Sequence, residues 1–270
     1  MKKERVIFYR DESDEVFHSG VKTKKIDKHF DYERKGLWDR FLRQVFVRFI
    51  VMPFAKFWTR VGFRSRFVNR KILKKHKGGC FIYANHTQAI PDAFRAAAAP
   101  LPHMSYIIVH PDNVSFPGLE GLMMALGTIP IPTESNGMVA FMRTVEKHAE
   151  KHPVVVFPER VIWPYYTKIR PFTDVSFRYP VRCGVPAFVM TTTFHKRRFS
   201  SKPREIVYID GPFYPDENLG KKERQEDLHR RVYQTMCERA KLNTYEYYRY
   251  EKLPEETSTE TDAAEVTGQK

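Results

Sequence analysis

The feature that most constrains the fold is an alternation of short apolar segments with helical segments between residues 80 and 241. Short apolar runs bounded by turn residues are typical of buried strands, and strands that alternate with helices predict crossover connections. The predicted strands cover residues 80–84, 106–110, 128–131, 154–157, 186–194 and 205–209. The predicted helices cover residues 91–99, 117–126, 137–151, 173–183 and 217–241. We therefore predict an α/β fold with a mixed, mostly parallel central sheet flanked by helices.

An aromatic-rich amphipathic helical motif is predicted before this region. Large apolar side chains recur there at three- and four-residue steps, which is the spacing of one helix face. They are Trp38, Phe41, Leu42, Val45, Phe46, Phe49, Ile50, Phe54, Phe57 and Trp58. Pro53 should kink or divide the helix, and eight cations follow between residues 60 and 77. An apolar face beside cations suits an anionic membrane surface, although a core helix with a solvated basic linker has the same pattern.

These patterns divide the chain into four parts. Residues 1–36 are a polar N-terminal arm, which we expect to be extended or loosely packed. Residues 37–78 are the amphipathic membrane-interface helices and their basic linker, and residues 79–250 are the α/β domain. Residues 251–270 are rich in Glu and Thr, a composition that predicts a disordered tail.

The net charge of +14 favours a partner that carries negative charge, such as nucleic acid, anionic lipid headgroups or a phosphorylated substrate. We expect no nucleic-acid partner, because the cations cluster beside an apolar helix instead of alternating with exposed aromatic residues. No apolar stretch reaches the length of about 18 residues that a spanning helix needs, and the first residues lack the apolar core of a secretory signal. The sequence therefore predicts a peripheral protein at the cytoplasmic face of a membrane.

A histidine and a carboxylate lie near the junction of the first predicted strand and helix of the domain. The strand ends near Ala84, and Pro91 suits the first turn of a helix, so His86 falls in the connecting turn and Asp92 near the helix start. Ligands of open α/β sheets bind at the carboxyl ends of the strands. A histidine oriented there by a carboxylate can act as a general base. This segment alone is weak evidence, because a His and an Asp six positions apart occur by chance in most chains of this length, and a helix-capping role explains Asp92 adequately.

Four segments of the chain, in order, resemble the sequence blocks of a known family. Asn85, His86 and Asp92 resemble the NHX4D box of the lysophospholipid acyltransferases, which include the 1-acyl-glycerol-3-phosphate acyltransferases. GTIPIP at residues 127–132 resembles the second block of the family, and VVVFPE at residues 154–159 resembles the third. The fourth block is resembled by three short segments, IRPF at residues 169–172, FR at residues 177–178 and GVPA at residues 184–187. The resemblance covers roughly residues 80–194.

The resemblance implies a glycerolphosphate acyltransferase-like fold and a reaction. A fatty acyl group would move from a thioester to the hydroxyl of a lysophospholipid, most closely 1-acyl-glycerol-3-phosphate, giving phosphatidic acid. His86 would be the general base and Asp92 would orient it, with backbone N–H groups around a turn or helix start stabilising the oxyanion. The donor would be acyl-CoA or acyl carrier protein (acyl-ACP), and no metal or bound cofactor would take part.

One departure from the family pattern concerns the spacing of the proposed pair. Five residues separate His86 from Asp92, whereas the family has four. One additional residue within a continuous helix would rotate the carboxylate by about 100°. We expect the turn before Pro91 to absorb this residue, so that Asp92 still reaches His86.

Other departures concern phosphate ligands. The arginines that end the second and third family blocks correspond here to Thr133 and Ile162, and the glycine of the third block corresponds to Arg160. The predicted substrate-binding residues are Asn85, Thr87, Glu159, Arg160, Lys168 and Arg170. Solvated surface charge is the alternative for the three cations. The altered third block and the longer spacing from His86 to Asp92 leave a second hypothesis, a catalytically impaired lipid-binding protein on the same fold.

Overall fold

The computed structural model describes residues 5–15, 20–33 and 36–254. Its strands are β1 (Val6–Tyr9), β2 (Arg66–Val68), β3 (Cys80–Ala84), β4 (Tyr106–Val109), β5 (Thr128–Pro130), β6 (Pro153–Val156), β7 (Ala187–Arg197), β8 (Ser200–Phe213) and β9 (Arg249–Lys252). Its α-helices are α1 (Leu37–Phe41), α2 (Met52–Val61), α3 (Arg70–Lys75), α4 (Ala89–Ala98), α5 (Glu120–Ala125), α6 (Met138–Ala149), α7 (Arg178–Cys183) and α8 (Lys221–Ala240).

A seven-stranded sheet in the order β2-β8-β7-β3-β6-β4-β5 forms the centre of the molecule. The five strands from β7 to β5 run parallel to their neighbours. Strand β8 runs antiparallel to β7, and β2 runs parallel to β8. The predicted mixed, mostly parallel sheet with flanking helices is thus confirmed. The chain leaves β3 at the carboxyl edge of this sheet, defined here as the side where the parallel strands end.

Both faces of the sheet are covered, and β3 shows how its sequence achieves this. Successive side chains of a strand point to opposite faces. Phe81 and Tyr83 therefore join the core layer on the side of α6, α7 and α8. Cys80 and Ile82 join the layer on the side of α3 and α4. Burial on both faces explains why the strand reads as a continuous apolar run instead of an alternating one.

The aromatic N-terminal segment is helical, but it is not one regular α-helix. Residues Leu42–Val51 form a π-helical segment between α1 and α2, and Pro53 lies in the first turn of α2. Proline has no backbone N–H, so the hydrogen-bond register changes next to it, in agreement with the predicted division. Helix α2 packs on α4, where the Phe54 and Phe94 ring centroids are 6.2 Å apart.

The sequence predicts an N-terminal arm that is extended or loosely packed, and the described parts of the arm contradict only the second alternative, because they pack against the domain. Strand β1 pairs in parallel with β9. Ile26 is fully buried, and the Tyr32 hydroxyl donates a hydrogen bond to the Pro130 carbonyl at 3.0 Å. Polar composition did not reveal these few anchoring side chains. Strand β9 also extends to Lys252, two residues into the predicted tail, and residues 255–270 lie outside the described residues.

Candidate active site

His86 lies at the carboxyl edge of the sheet, in the turn between β3 and α4. Helix α4 begins at Ala89, two residues earlier than Pro91, and Asp92 donates its backbone N–H to the Gln88 carbonyl at 3.1 Å. Asp92 therefore lies in the first helical turn, and its side chain points back to the turn that precedes the helix. The additional residue between histidine and aspartate is accommodated without separating them.

The His86 imidazole is held by a carboxylate and by an aromatic ring. The distance from His86 Nδ1 to Asp92 Oδ2 is 2.9 Å. The imidazole stacks on Phe157, with ring centroids 4.4 Å apart, and 17% of the His86 side chain is exposed. Because Nδ1 is engaged by the carboxylate, Nε2 is the ring nitrogen left to exchange a proton with a substrate.

Asp92 is held in turn by two backbone groups and a buried arginine. Its Oδ2 accepts hydrogen bonds from the N–H groups of Thr87 at 2.8 Å and Gln88 at 2.9 Å, and Oδ1 pairs with Arg95. Burial alone would raise the pKa of Asp92, but the Arg95 charge and the His86 hydrogen bond outweigh it, and the pKa lies below its ordinary value. Asp92 is therefore a carboxylate at neutral pH.

Arg95 links the candidate pair to the neighbouring part of the sheet. It is fully buried and pairs with Asp92 and with Glu205 of β8. Its Nη2 also donates to the Gln88 side-chain oxygen at 2.9 Å. Ser65 donates its hydroxyl to Glu205, which completes the chain of contacts. One guanidinium thus neutralises two buried carboxylates, which would otherwise be costly to bury.

Glu159 and Arg170 form a second buried pair behind His86. Glu159 Oε2 accepts a hydrogen bond from the His86 backbone N–H at 3.4 Å and another from Arg170 Nη2 at 3.2 Å. Burial raises the pKa of Glu159 to about 7, although the Arg170 charge opposes the shift. Arg170 is 2% exposed and also donates to the carbonyls of Val161 and Glu12. In this arrangement Arg170 braces Glu159 and does not present its charge to solvent.

The other two predicted cations are at the surface. Arg160 and Lys168 are both exposed. Arg160 has a φ of 67°, in the left-handed region where glycine is favoured. The family block has glycine at this position, so the backbone adopts a conformation suited to that glycine while the side chain adds a cation. Holding a bulky residue there costs on the order of 1 kcal/mol or more.

Asn85 and Thr87, also predicted to bind substrate, are buried beside His86. Asn85 donates its side-chain N–H to the Thr192 carbonyl at 3.0 Å and accepts the Thr192 N–H at 2.8 Å, which ties the end of β3 to β7. The Thr87 hydroxyl is buried and has no hydrogen-bond partner within residues 5–15, 20–33 and 36–254. The Asn85 side chain therefore holds the end of β3 against β7. Of these two residues, Thr87 has a hydroxyl that could still bind a substrate atom.

Thr133, at the position of a family arginine, is occupied by the N-terminal arm. Its hydroxyl accepts the Ile26 backbone N–H at 2.9 Å, and its own N–H donates to the Ile26 carbonyl at 3.1 Å. The arm thus uses this position for its own attachment. The sequence shows that the family arginine is absent at Thr133, but it does not reveal that Thr133 contacts Ile26 of the arm.

The WPYY segment after Glu159 packs against the termini of the described chain. Trp163 is fully buried, stacks on Tyr250 with ring centroids 4.9 Å apart, and donates its indole N–H to the Asp14 carbonyl. Its backbone N–H donates to the His86 carbonyl at 3.2 Å. Tyr165 similarly donates its N–H to the Thr87 carbonyl at 3.0 Å. This segment therefore supports the His86 turn from outside.

The backbone N–H groups of residues 86–88 do not supply the predicted oxyanion donors. The N–H groups of His86, Thr87 and Gln88 all donate to carboxylates. They hold the turn in shape and are not free to bind a developing oxyanion. Among the described residues there is also no group of three or more His, Cys, Asp or Glu side chains arranged to hold a metal ion.

Sequence reasoning missed Arg95, Glu205 and Phe157. One signal was available: Arg95 lies three residues after Asp92, on the same face of a helix that is otherwise rich in alanine. A charged residue on such a buried face requires a partner. Glu205 and Phe157 meet this site only through the sheet, so local sequence could not identify them.

The order and direction of the strands and their flanking helices define one class of α/β fold, the fold of PlsC acyltransferases. The structure is similar to the crystal structure of the 1-acyl-sn-glycerophosphate (LPA) acyltransferase PlsC from Thermotoga maritima. The TM-score is 0.53 at 15% sequence identity, and the similarity covers 77% of this chain and 89% of that chain. No protein-family model matches the sequence, and no curated protein matches it. At this identity the similarity establishes the fold.

Proposed function

We propose that the protein is an acyltransferase that moves a fatty acyl group from a thioester to the hydroxyl of a lysophospholipid, with 1-acyl-glycerol-3-phosphate as the acceptor. The observation that carries the proposal is the 2.9 Å contact between His86 Nδ1 and Asp92 Oδ2 at the carboxyl edge of the sheet. This is where open α/β sheets bind ligands, and the fold is shared with a lysophosphatidic acid acyltransferase.

In the proposed reaction, His86 Nε2 removes the proton of the acceptor hydroxyl while the oxygen attacks the thioester carbonyl carbon. The tetrahedral intermediate then collapses, the C–S bond breaks, and the imidazolium returns its proton to the departing thiolate. Asp92 stabilises the imidazolium and fixes the ring orientation, since its lowered pKa keeps it ionised. General-base assistance of this kind is worth about 10²- to 10⁴-fold in rate.

A phosphate-bearing acceptor would be held by exposed cations. Arg160 follows Glu159 directly, and Glu159 contacts the His86 backbone, so this guanidinium belongs to the same cluster of loops as the base. Guanidinium groups bind phosphate through two parallel hydrogen bonds. Lys168 is the second exposed candidate. Arg170 instead supports Glu159 in this proposal, because its contacts are internal.

The proposed site of action is the cytoplasmic face of a membrane, to which the protein binds peripherally. The outer face of the N-terminal helices supports this, since it exposes large apolar side chains: Leu37 85%, Trp38 68%, Phe49 68%, Ile50 57% and Phe57 57%. Exposed large apolar side chains concentrated in one helical segment are typical of an interaction site. No helix within residues 5–15, 20–33 and 36–254 has both the length and the hydropathy required to cross a bilayer.

The proposal is tested by incubating purified protein with lysophosphatidic acid and either acyl-CoA or acyl-ACP. We expect phosphatidic acid to form in a donor-dependent manner with at least one donor. Parallel reactions with lysophosphatidylglycerol and monoacylglycerol as acceptors measure how much the acceptor phosphate contributes. Product analysis by mass spectrometry identifies the lipid that is formed.

A second candidate function, lipid binding without turnover, is favoured by one observation. The position where the family has a phosphate-binding arginine holds Thr133, and the Thr133 hydroxyl binds the N-terminal arm instead. Saturable binding of lysophosphatidic acid, without product from any donor and acceptor, would exclude the acyltransferase and support this alternative.

A further inference from the structure

The hairpin of β7 and β8 ends in a basic tip, defined here as residues 196–202, that the proposed reaction does not use. The tip has the sequence KRRFSSK, with four cations and no acidic residue. Phe199, in the two-residue turn, is 90% exposed. Moving an exposed aromatic side chain from water into an apolar phase is favourable. The tip is therefore suited to contact such a phase.

The tip projects from the same edge of the sheet as the candidate active site. Strand β7 runs parallel to β3, and Met190 is the register partner of Ala84, two residues before His86. From Met190 the strand continues to Arg197. At about 3.3 Å per residue, these seven steps carry the tip roughly 23 Å beyond the level of Ala84. The N-terminal helices reach this edge as well, because Arg66, which follows α2, pairs with Ile206 of β8.

The base of the hairpin is braced, so the tip has a defined direction. The Phe194 N–H donates to the Asn243 side chain at 2.7 Å, and the Phe194 carbonyl accepts the Thr244 N–H at 3.0 Å. The Tyr245 hydroxyl donates to the Ser201 carbonyl at 3.1 Å. A protruding hairpin without such contacts would lose its orientation, and ordering it on binding would cost entropy.

The charge of the tip is not neutralised within the described chain. No carboxylate of residues 5–15, 20–33 or 36–254 forms an ion pair with Lys196, Arg197, Arg198 or Lys202. The Arg198 guanidinium lies over the Phe199 ring, 5.2 Å from its centroid. Cations that flank a lone exposed aromatic side chain match a bilayer, where phosphates lie above hydrocarbon.

We propose that the basic tip is a second membrane contact, which binds anionic lipid headgroups through its cations and inserts Phe199 at the interface. Together with the N-terminal helices it would fix the orientation of the carboxyl edge toward the bilayer. An acidic protein would also satisfy the cations, but Phe199 is the one apolar residue of the tip, and a single ring among cations suits insertion below phosphates better than it suits a packed protein interface, so lipid is the favoured occupant. The proposal rests on the proposed function only in that a lipid acceptor gives the contact a purpose.

The test is cosedimentation of the full chain with vesicles of phosphatidylcholine alone and of phosphatidylcholine mixed with phosphatidylglycerol. The double variant Arg197→Gln/Arg198→Gln should bind the anionic vesicles about 30-fold more weakly, since each cation near such a surface contributes about 1 kcal/mol. Phe199→Ser should weaken binding about tenfold. The matched control Lys151→Gln/Lys221→Gln removes two exposed cations at the opposite edge of the sheet and should bind as the wild type does.

Two further arms separate this proposal from the proposed function. Phe49→Ser tests the contribution of the N-terminal helices to vesicle binding independently of the tip. Acyl transfer to detergent-dispersed acceptor should be unchanged in the tip variants. Vesicle binding is measured without catalysis, so a protein that fails to transfer acyl groups still tests the tip. Equal binding of both vesicle types by the wild type, or wild-type affinity in the Arg197→Gln/Arg198→Gln variant, would overturn the proposal. Unchanged vesicle affinity with loss of transfer from acyl-ACP alone would assign the tip to a protein partner instead.

Discussion

Replacement of His86 by alanine is expected to reduce acyl transfer by about 10²- to 10⁴-fold, which is the usual contribution of a general base. The substitution removes Nε2, the atom of the turn that accepts the hydroxyl proton in the proposed reaction. Asp92 keeps its hydrogen bonds from Thr87 and Gln88 and its pair with Arg95, so the turn retains its shape. The rate is measured as initial product formation at saturating donor and acceptor.

The matched control for this prediction is His103→Ala, because His103 is exposed and lies in a loop away from the Asp92 network. Its rate should equal that of the wild type. Circular dichroism and thermal unfolding of both variants check that the fold is intact. A folded His86→Ala protein that transfers acyl groups at the wild-type rate would remove His86 from the mechanism.

Replacement of Arg95 by methionine is expected to destabilise the fold by about 3–5 kcal/mol, the range for removing one partner of a buried ion pair. Methionine fills much of the volume but leaves the carboxylates of Asp92 and Glu205, both nearly fully buried, without their cation. The free energy of unfolding is measured by urea denaturation at neutral pH. The surface variant Arg182→Met, which breaks an exposed pair with Glu146, should lose less than about 1 kcal/mol.

The free energy of unfolding that Arg95→Met loses should depend on pH. This dependence distinguishes lost charge neutralisation from poor packing. In the wild type, the pKa of Asp92 is lowered, so its contribution to stability is present above the unfolded pKa and is lost as the pH falls. Without Arg95, the pKa of Asp92 should rise, and the folded variant should bind a proton more readily than the unfolded chain does. The stability deficit of Arg95→Met should therefore narrow as the pH is lowered. A deficit that is the same at all pH values would indicate packing alone.

Local periodicity predicted most of the sheet and the position of the candidate base. The buried runs at β3, β4 and β6 lie within one residue of their predicted bounds, because strands covered on both faces carry an unmistakable apolar run. His86 and Asp92 could be paired from sequence because both lie on one strand–turn–helix unit. Their contact depends on the turn, and not on remote parts of the chain.

Features that depend on remote contacts could not be predicted in this way. Strand β1 is only four residues long and forms because β9 lies beside it. Arg170 reads as an exposed cation in sequence, yet Glu159 and two backbone carbonyls bury it. Arg95 and Glu205 are 110 residues apart and meet only after β8 joins the sheet. Each case needs the tertiary arrangement before the residue's role can be assigned.

His86 can act as the base only if it presents an unprotonated Nε2 while Nδ1 is held by Asp92. Nitrogen NMR of protein labelled at its histidines, with the His86 signals assigned by comparison with His86→Ala, measures this directly in the neutral ring. We predict the tautomer with its proton on Nδ1, directed at the carboxylate, and with the Nε2 lone pair free. A neutral His86 that carries its proton on Nε2 would exclude the proposed mechanism, because that nitrogen could not then accept a proton from the acceptor hydroxyl.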